Sequence, residues 1–232
     1  MTTYVLVHGA WSGAHTWRKV RPMLRREGHE VFTPSLTGLG ERVHLSSPQV
    51  TLSTHVQDVV NLIEFEDLSD IVLLGYSYGG MVVTGALEYV ASRVKHLVYL
   101  DAFVPQDGQA LWSMAREQPR QPFGQDWLVQ PMPREFDDPA EAEWARPRRT
   151  PHPRGCFTEP VRLLQPLEAY DFSRTYIKAT GEPRPPEGGP FWTAADHAKS
   201  SDAWRYREIA TNHMIANNRP EELTELLLEV IE

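Results

Sequence analysis

A chain of 232 residues with 41% hydrophobic side chains can bury a sizeable core, which excludes a disordered tail as its whole content. Its 23 Lys and Arg against 31 Asp and Glu leave a net charge of −8, so no bulk positive field exists to hold a phosphate backbone, and nucleic acid is not expected as a partner. The single cysteine, Cys156, can close no internal disulfide and build no cysteine-rich zinc site, and no run reaches the roughly 18 apolar residues of a membrane span.

The chain opens on Tyr4-Val5-Leu6-Val7 with no basic segment ahead of it, so no leader is expected. The expectation is a soluble, cytoplasmic monomer or homodimer without metal, cofactor or membrane partner. Six runs read as strands: residues 4–7, 30–33, 70–74, 96–100, 175–179 and 204–209. The apolar ones are nearly continuous, as parallel strands covered on both faces should be. Between the first two, residues 16–27 can form a helix closed by Gly28. Between the second and third, Leu52, Val56, Val59, Val60 and Ile63 recur on one helical face. Residues 79–91 are apolar nearly all round and predict a helix buried at the centre of the sheet. The last helix, 220–231, starts on a proline suited to a first turn and presents Leu223, Leu226, Leu227 and Val230.

Residues 105–172 interrupt this alternation. Of 19 prolines, 15 lie between Pro105 and Pro190, leaving room only for short helices near 110–117 and 139–145. Such an interruption reads as a lid or binding loop. Aromatic residues in it, among them Trp112, Phe123, Trp127, Phe136 and Trp144, argue against disorder. The expected organisation is an α/β core from residues 1–104 and 173–232 with 105–172 as an inserted cap.

The strongest local signal is Gly75-Tyr76-Ser77-Tyr78-Gly79, a G-x-S-x-G sequence between a strand and a helix. That context is what a nucleophile elbow requires, because the serine must stand clear of the sheet in a tight turn flanked by small residues. Serine needs a base within reach. In a parallel sheet the reacting groups sit beyond the carboxyl ends of the strands. His213 lies just past the last strand, on that edge. His8 is also there but reads as shaping the turn. His15, His29, His55 and His96 fall on helices or at the opposite strand ends, His44 and His152 in loops, and His197 on a short helical stretch.

For the acid that orients the imidazole, two residues compete. Asp101 ends an apolar strand, a costly place for a carboxylate without a partner, whereas Glu182 opens a polar stretch; the sequence favours Asp101. The backbone N–H groups of Tyr78 and Ala10, the latter in His8-Gly9-Ala10-Trp11-Ser12-Gly13, are the candidates for an oxyanion hole, and Trp11 for lining the pocket with Trp112 or Trp127. The glycine spacing there fits no G-x-G-x-x-G and no Walker lysine follows, which disfavours a nucleotide site.

With these residues in place, the chain resembles the α/β-hydrolase superfamily, and within it the branch of plant methyl esterases, hydroxynitrile lyases and bacterial esterases. The resemblance rests on residues 5–17, 73–82, 94–105 and 212–223. It implies a mostly parallel six-stranded sheet flanked by helices, Ser77 as nucleophile, His213 as base and then acid, and a small ester as substrate. The plant members usually carry their acid after the strand matching 175–179, where this chain offers Glu182. The lyases of the branch are expected to carry a lysine after the histidine, and here that residue is Met214, so ester hydrolysis is favoured. A lactonase, a C–C hydrolase, a lyase or cyclase, or a non-catalytic receptor could use the same fold. A scaffold role for the arginine-bearing insert ranks below these.

Overall fold

The computed structural model describes residues 1–115 and 127–230. Phe123, the last two residues of the helix expected near 110–117, and Ile231 lie outside the described residues. The strands are β1 (Thr3–Val7), β2 (Glu30–Phe32), β3 (Ile71–Tyr76), β4 (Val94–Leu100), the short β5 (Leu128–Val129) and β6 (His152–Pro153), β7 (Ser173–Ala179) and β8 (Arg205–Ile209). The helices are α1 (Val20–Arg26), α2 (Leu52–Phe65), α3 (Gly79–Val90), α4 (Leu111–Met114), α5 (Pro139–Ala145), α6 (Gly155–Thr158), α7 (Pro190–Ser200), α8 (Ile215–Asn218) and α9 (Pro220–Glu229).

Six strands form one sheet in the order β2-β1-β3-β4-β7-β8, every pairing parallel. Alternate side chains feed two cores, one on each face. Val5, Val7, Ile71, Leu73, Leu97 and Tyr99 join α2 and α3 on one side. Tyr4, Leu6, Val72, Leu74, Val98 and Leu100 join α1 and α9 on the other. Burial on both faces is why these strands read as unbroken apolar runs. The first core also takes Cys156, Phe157, Val161, Leu163, Leu167 and Phe172, so part of the proline-rich segment packs on α2 and α3. Among the described residues no helix is long and apolar enough to cross a membrane.

Two elements differ from the sequence expectation. The helix expected over 16–27 divides into a 3-10 turn, Ala14–Trp17, and α1. Pro22 explains the break: it has no N–H to donate back one turn, so it is tolerated only where the helix begins. His152, assigned to a loop, sits buried in β6, paired with Val129 of β5. A two-residue strand containing a proline carries no periodicity from which to read it.

The order of strands reverses about β1 and β3, the place where an open parallel sheet leaves a crevice at its carboxyl edge. α3 is packed directly over that edge. A Cβ on Gly80 would stand 2.0 Å from the Phe103 carbonyl oxygen, a contact that only a backbone shift could relieve. Gly80→Ala is therefore expected to cost about 1–3 kcal/mol, as overpacked sites do, and to lower Tm in a thermal melt. An unchanged Tm would show that the loop after β4 yields freely.

Candidate active site

The site is built on three strand ends. β3 carries the chain to Tyr76 and α3 begins at Gly79, leaving Ser77 and Tyr78 to make the turn. Ser77 takes φ 57, a left-handed conformation disfavoured for a residue with a Cβ. Three hydrogen bonds hold it there: its N–H donates to Leu100 O (3.2 Å), and its carbonyl accepts from Gly80 (3.1 Å) and Phe103 (3.2 Å). The loop after β1 approaches so closely that a Cβ on Gly9 would lie 3.0 Å from Ser77 Cβ, which is why a glycine follows His8.

The structure brings Ser77, His213 and Asp101 into one hydrogen-bonded chain. Ser77 Oγ lies 3.0 Å from His213 Nε2, and His213 Nδ1 lies 2.6 Å from Asp101 Oδ2. The carboxylate can only accept, so Nδ1 carries the proton and Nε2 is left to accept from the serine hydroxyl. Asp101 Oδ1 accepts from Lys178 Nζ at 2.7 Å and from the Ala179 N–H at 3.4 Å. The imidazole is stacked on Phe191 with ring centroids 5.2 Å apart and packs against Tyr76 at 5.0 Å, and the Tyr76 hydroxyl donates to the His213 carbonyl at 2.6 Å. Glu182, the competing acid, is exposed on the polar stretch after β7 and makes no hydrogen bond to the imidazole.

Burial and charge set the protonation states. Asp101 is 2% exposed; burial alone would raise its pKa, but the hydrogen bond and charge of His213, with Lys178, outweigh it and hold the carboxyl below its ordinary value. His213 is shifted downward. Burial disfavours the imidazolium more than Asp101 favours it, and Arg134 and Lys178 add to the downward shift. The imidazole is thus neutral near pH 7, the state a base requires.

The loop after β1 is held from both sides. His8 Nδ1 donates to Gly9 O (2.8 Å) while Nε2 accepts from the Leu36 N–H (3.1 Å), and burial pushes this histidine to about 4, so it stays neutral. Trp11, at φ 58, donates its N–H to His152 Nδ1 (3.3 Å) and its indole N–H to Val129 O (2.9 Å), which ties the loop to β5 and β6. The Tyr78 hydroxyl donates to His55 Nδ1 (2.8 Å), and His55 Nε2 donates to Thr37 O (2.8 Å). The bonds shaping these turns use the N–H groups of Trp11, Ser77, Gly80 and Met81, but not those of Ala10 and Tyr78.

Ser77, His213, Ala10 and Trp11 line one cleft of about 510 Å³, counted with its open mouth. Asp101 lies behind the imidazole, and the Tyr78 ring is buried beside Phe157 and His152. Neither Trp112 nor Trp127 lines the cleft; Trp112 packs on Phe157 instead, and Phe136 and Trp144 join Trp11 and Tyr76 in the aromatic lining, with Arg134 and Arg149 beside them. Among the described residues His55, His152 and Cys156 could offer three metal-ligand atoms within 4.8 Å of one another. Both His55 nitrogens and His152 Nδ1 are already committed, so a metal would have to displace the bonds that hold Tyr78 and Trp11.

Sequence reasoning did not single out Lys178, His55, His152 or Phe191. Lys178 reads as one polar residue in a half-buried strand, and the others carry no motif; only the unmatched buried Asp101 hinted that a cation must lie nearby.

The family model described as "Alpha/beta hydrolase family" matches residues 4–226. A carbendazim hydrolyzing esterase of Nocardioides sp. (strain SG-4G) is 36% identical, with 98% of each chain covered. Salicylic acid-binding protein 2 of Nicotiana tabacum is 32% identical over 103 residues, 44% of this chain and 40% of that protein. An extracellular alpha/beta-hydrolase from a Paenibacillus species superposes with a TM-score of 0.83 at 27% identity, covering 99% of both chains.

Because Lys178 disfavours the imidazolium, Lys178→Met is expected to raise the His213 pKa, and the unsubstituted protein to titrate His213 below the ordinary 6.5. Titration of the histidine ring signals by NMR reads both values. A downward movement in the variant would contradict the electrostatic account.

Proposed function

The chain belongs to the alpha/beta hydrolase family, and from that premise we propose that it is a serine hydrolase that cleaves a small carboxylic ester through an acyl-enzyme. The observation that carries this reading is the chain of hydrogen bonds from Ser77 Oγ through His213 to Asp101, opening on the cleft. The full-length similarity to an esterase supports the ester chemistry.

In the proposed reaction, Ser77 Oγ attacks the ester carbonyl carbon as its proton passes to His213 Nε2, and Asp101 holds the resulting imidazolium. The carbonyl oxygen becomes an oxyanion and accepts from the N–H groups of Ala10 and Tyr78. Collapse breaks the bond to the leaving alkoxide, which takes the proton from His213. Water then gives a proton to Nε2 and attacks the acyl carbon, and Ser77 departs with that proton as the acid is released. Met214 follows His213 where a cation would be needed for cyanide chemistry, which supports hydrolysis over a lyase reaction. Residues 105–172 are proposed to cap the site, a reading supported by the place of Arg134, Phe136, Trp144 and Arg149 in the cleft wall.

Ser77→Ala is expected to lower kcat on a short aryl ester by about a millionfold, and Asp101→Asn by about ten-thousandfold, with the fold intact by circular dichroism. Undiminished hydrolysis by Ser77→Ala would sink the mechanism. Since the base must be neutral and burial holds His213 low, kcat/KM is expected to be sustained above neutrality and to fall only as pH drops through a midpoint below 6.5.

A further inference from the structure

We propose that the ester this cleft takes carries a carboxylate of its own, and that Arg134 and Arg149 form the subsite that receives it. The inference rests on the hydrolase reading above and names its substrate class.

The first observation is charge. The protein has a net charge of −8, yet its cleft is lined by two arginines and, among the described residues, by no aspartate or glutamate. The one acid of the site, Asp101, lies behind His213 and is matched by Lys178.

The second observation is pairing. Other arginines of the chain are engaged. Arg18 binds Glu141 and lies over the Trp144 ring at 4.1 Å; Arg148 lies over the same ring at 4.2 Å and donates to Trp144 O at 2.6 Å; Arg219 binds Asp137 at 2.5 Å. Arg134 and Arg149 are half-buried, and among the described residues neither side chain makes a hydrogen bond or ion pair. They line the same cleft, and burial first, then the Arg134 charge, hold the Arg149 guanidinium below its ordinary value. Two partly desolvated like charges with no counterion among the described residues are unfavourable, and a ligand anion would relieve them.

The third observation is placement. The segment bearing Arg134 is tied to the chain around His213, because Asn212 Nδ2 donates to Glu135 O (3.1 Å) and the Asp137 N–H donates to Asn218 Oδ1 (3.2 Å). Arg149 leaves the 3-10 turn Arg146–Arg148 that extends α5, which also carries Trp144 into the cleft. The backbone bearing both arginines is therefore anchored beside the Ser77–His213 pair, and the planar guanidinium fork matches a carboxylate better than a lone carbonyl.

The test compares 4-nitrophenyl hydrogen glutarate, whose acyl chain ends in a carboxylate, with 4-nitrophenyl pentanoate, whose chain of equal length ends in a methyl group. The ratio of their kcat/KM values is expected to fall about tenfold or more in Arg134→Gln, in Arg149→Gln and in the double variant, the scale of a lost charge-assisted hydrogen bond. Arg149→Lys, which keeps the charge, should retain most of the ratio. A ratio that moves by less than about twofold overturns the proposal, including the case where both esters slow together because the arginines only assist the oxyanion. Binding of free glutarate to Ser77→Ala, measured by calorimetry, needs no turnover. A tenfold loss of affinity on adding the Arg134→Gln and Arg149→Gln changes supports the subsite, and equal affinity overturns it. Unsubstituted protein that cleaves neither ester would defeat the hydrolase reading, while the glutarate measurement would still decide the subsite.

Discussion

The buried carboxylate of Asp101 is the constraint around which the site is arranged. A charge so withdrawn from water is costly unless partners replace the lost solvation. Here three do: Lys178 Nζ, His213 Nδ1 and the Ala179 N–H. Two come from the end of β7 and one from the loop after β8, so satisfying one carboxylate joins the ends of β4 and β7 to that loop. Lys178 also donates to the Ala179 carbonyl, which fixes its ammonium group between two acceptors. The imidazole is then set by what lies beneath it, and Ser77 by what lies beneath the imidazole.

Strain gathers at the same edge. Trp11, Ser77 and Asp101 all take positive φ, and they stand just past the ends of β1, β3 and β4, which are neighbours in the sheet. Each such conformation costs on the order of 1–3 kcal/mol and persists only where its surroundings over-determine it. The sheet supplies that rigidity, since the strands leading into all three turns are buried on both faces. Asp101 is itself locked by its N–H donating to Ile177 O at 2.7 Å.

The electrostatics are asymmetric across the imidazole. Behind it, one anion meets one cation at close range in a dry interior. In front of it, two guanidiniums face the cleft with no acid among its described lining residues. Arg18, Arg148 and Arg219, by contrast, are engaged by carboxylates or by the Trp144 ring.

The sheet was legible because strands covered on both faces must be written as continuous apolar runs, and the serine because G-x-S-x-G between a strand and a helix is a local pattern. Asp101 was legible for a related reason: an acid ending an apolar strand needs a partner. By contrast, Lys178 sits 77 residues from the carboxylate it neutralises, His55 sits 23 from the tyrosine it holds, and nothing local marks either. The expected helix over 16–27 overran the boundary that Pro22 imposes, and β6 was too short to carry a pattern. Sequence by itself determined the layers, the strand ends and which residue types stand at the reactive edge, because those follow from periodicity and turn chemistry within a few residues. Only the tertiary structure decided which charges meet, which stay unmet and which aromatic rings wall the cleft, because those depend on distances between segments that the chain order does not encode.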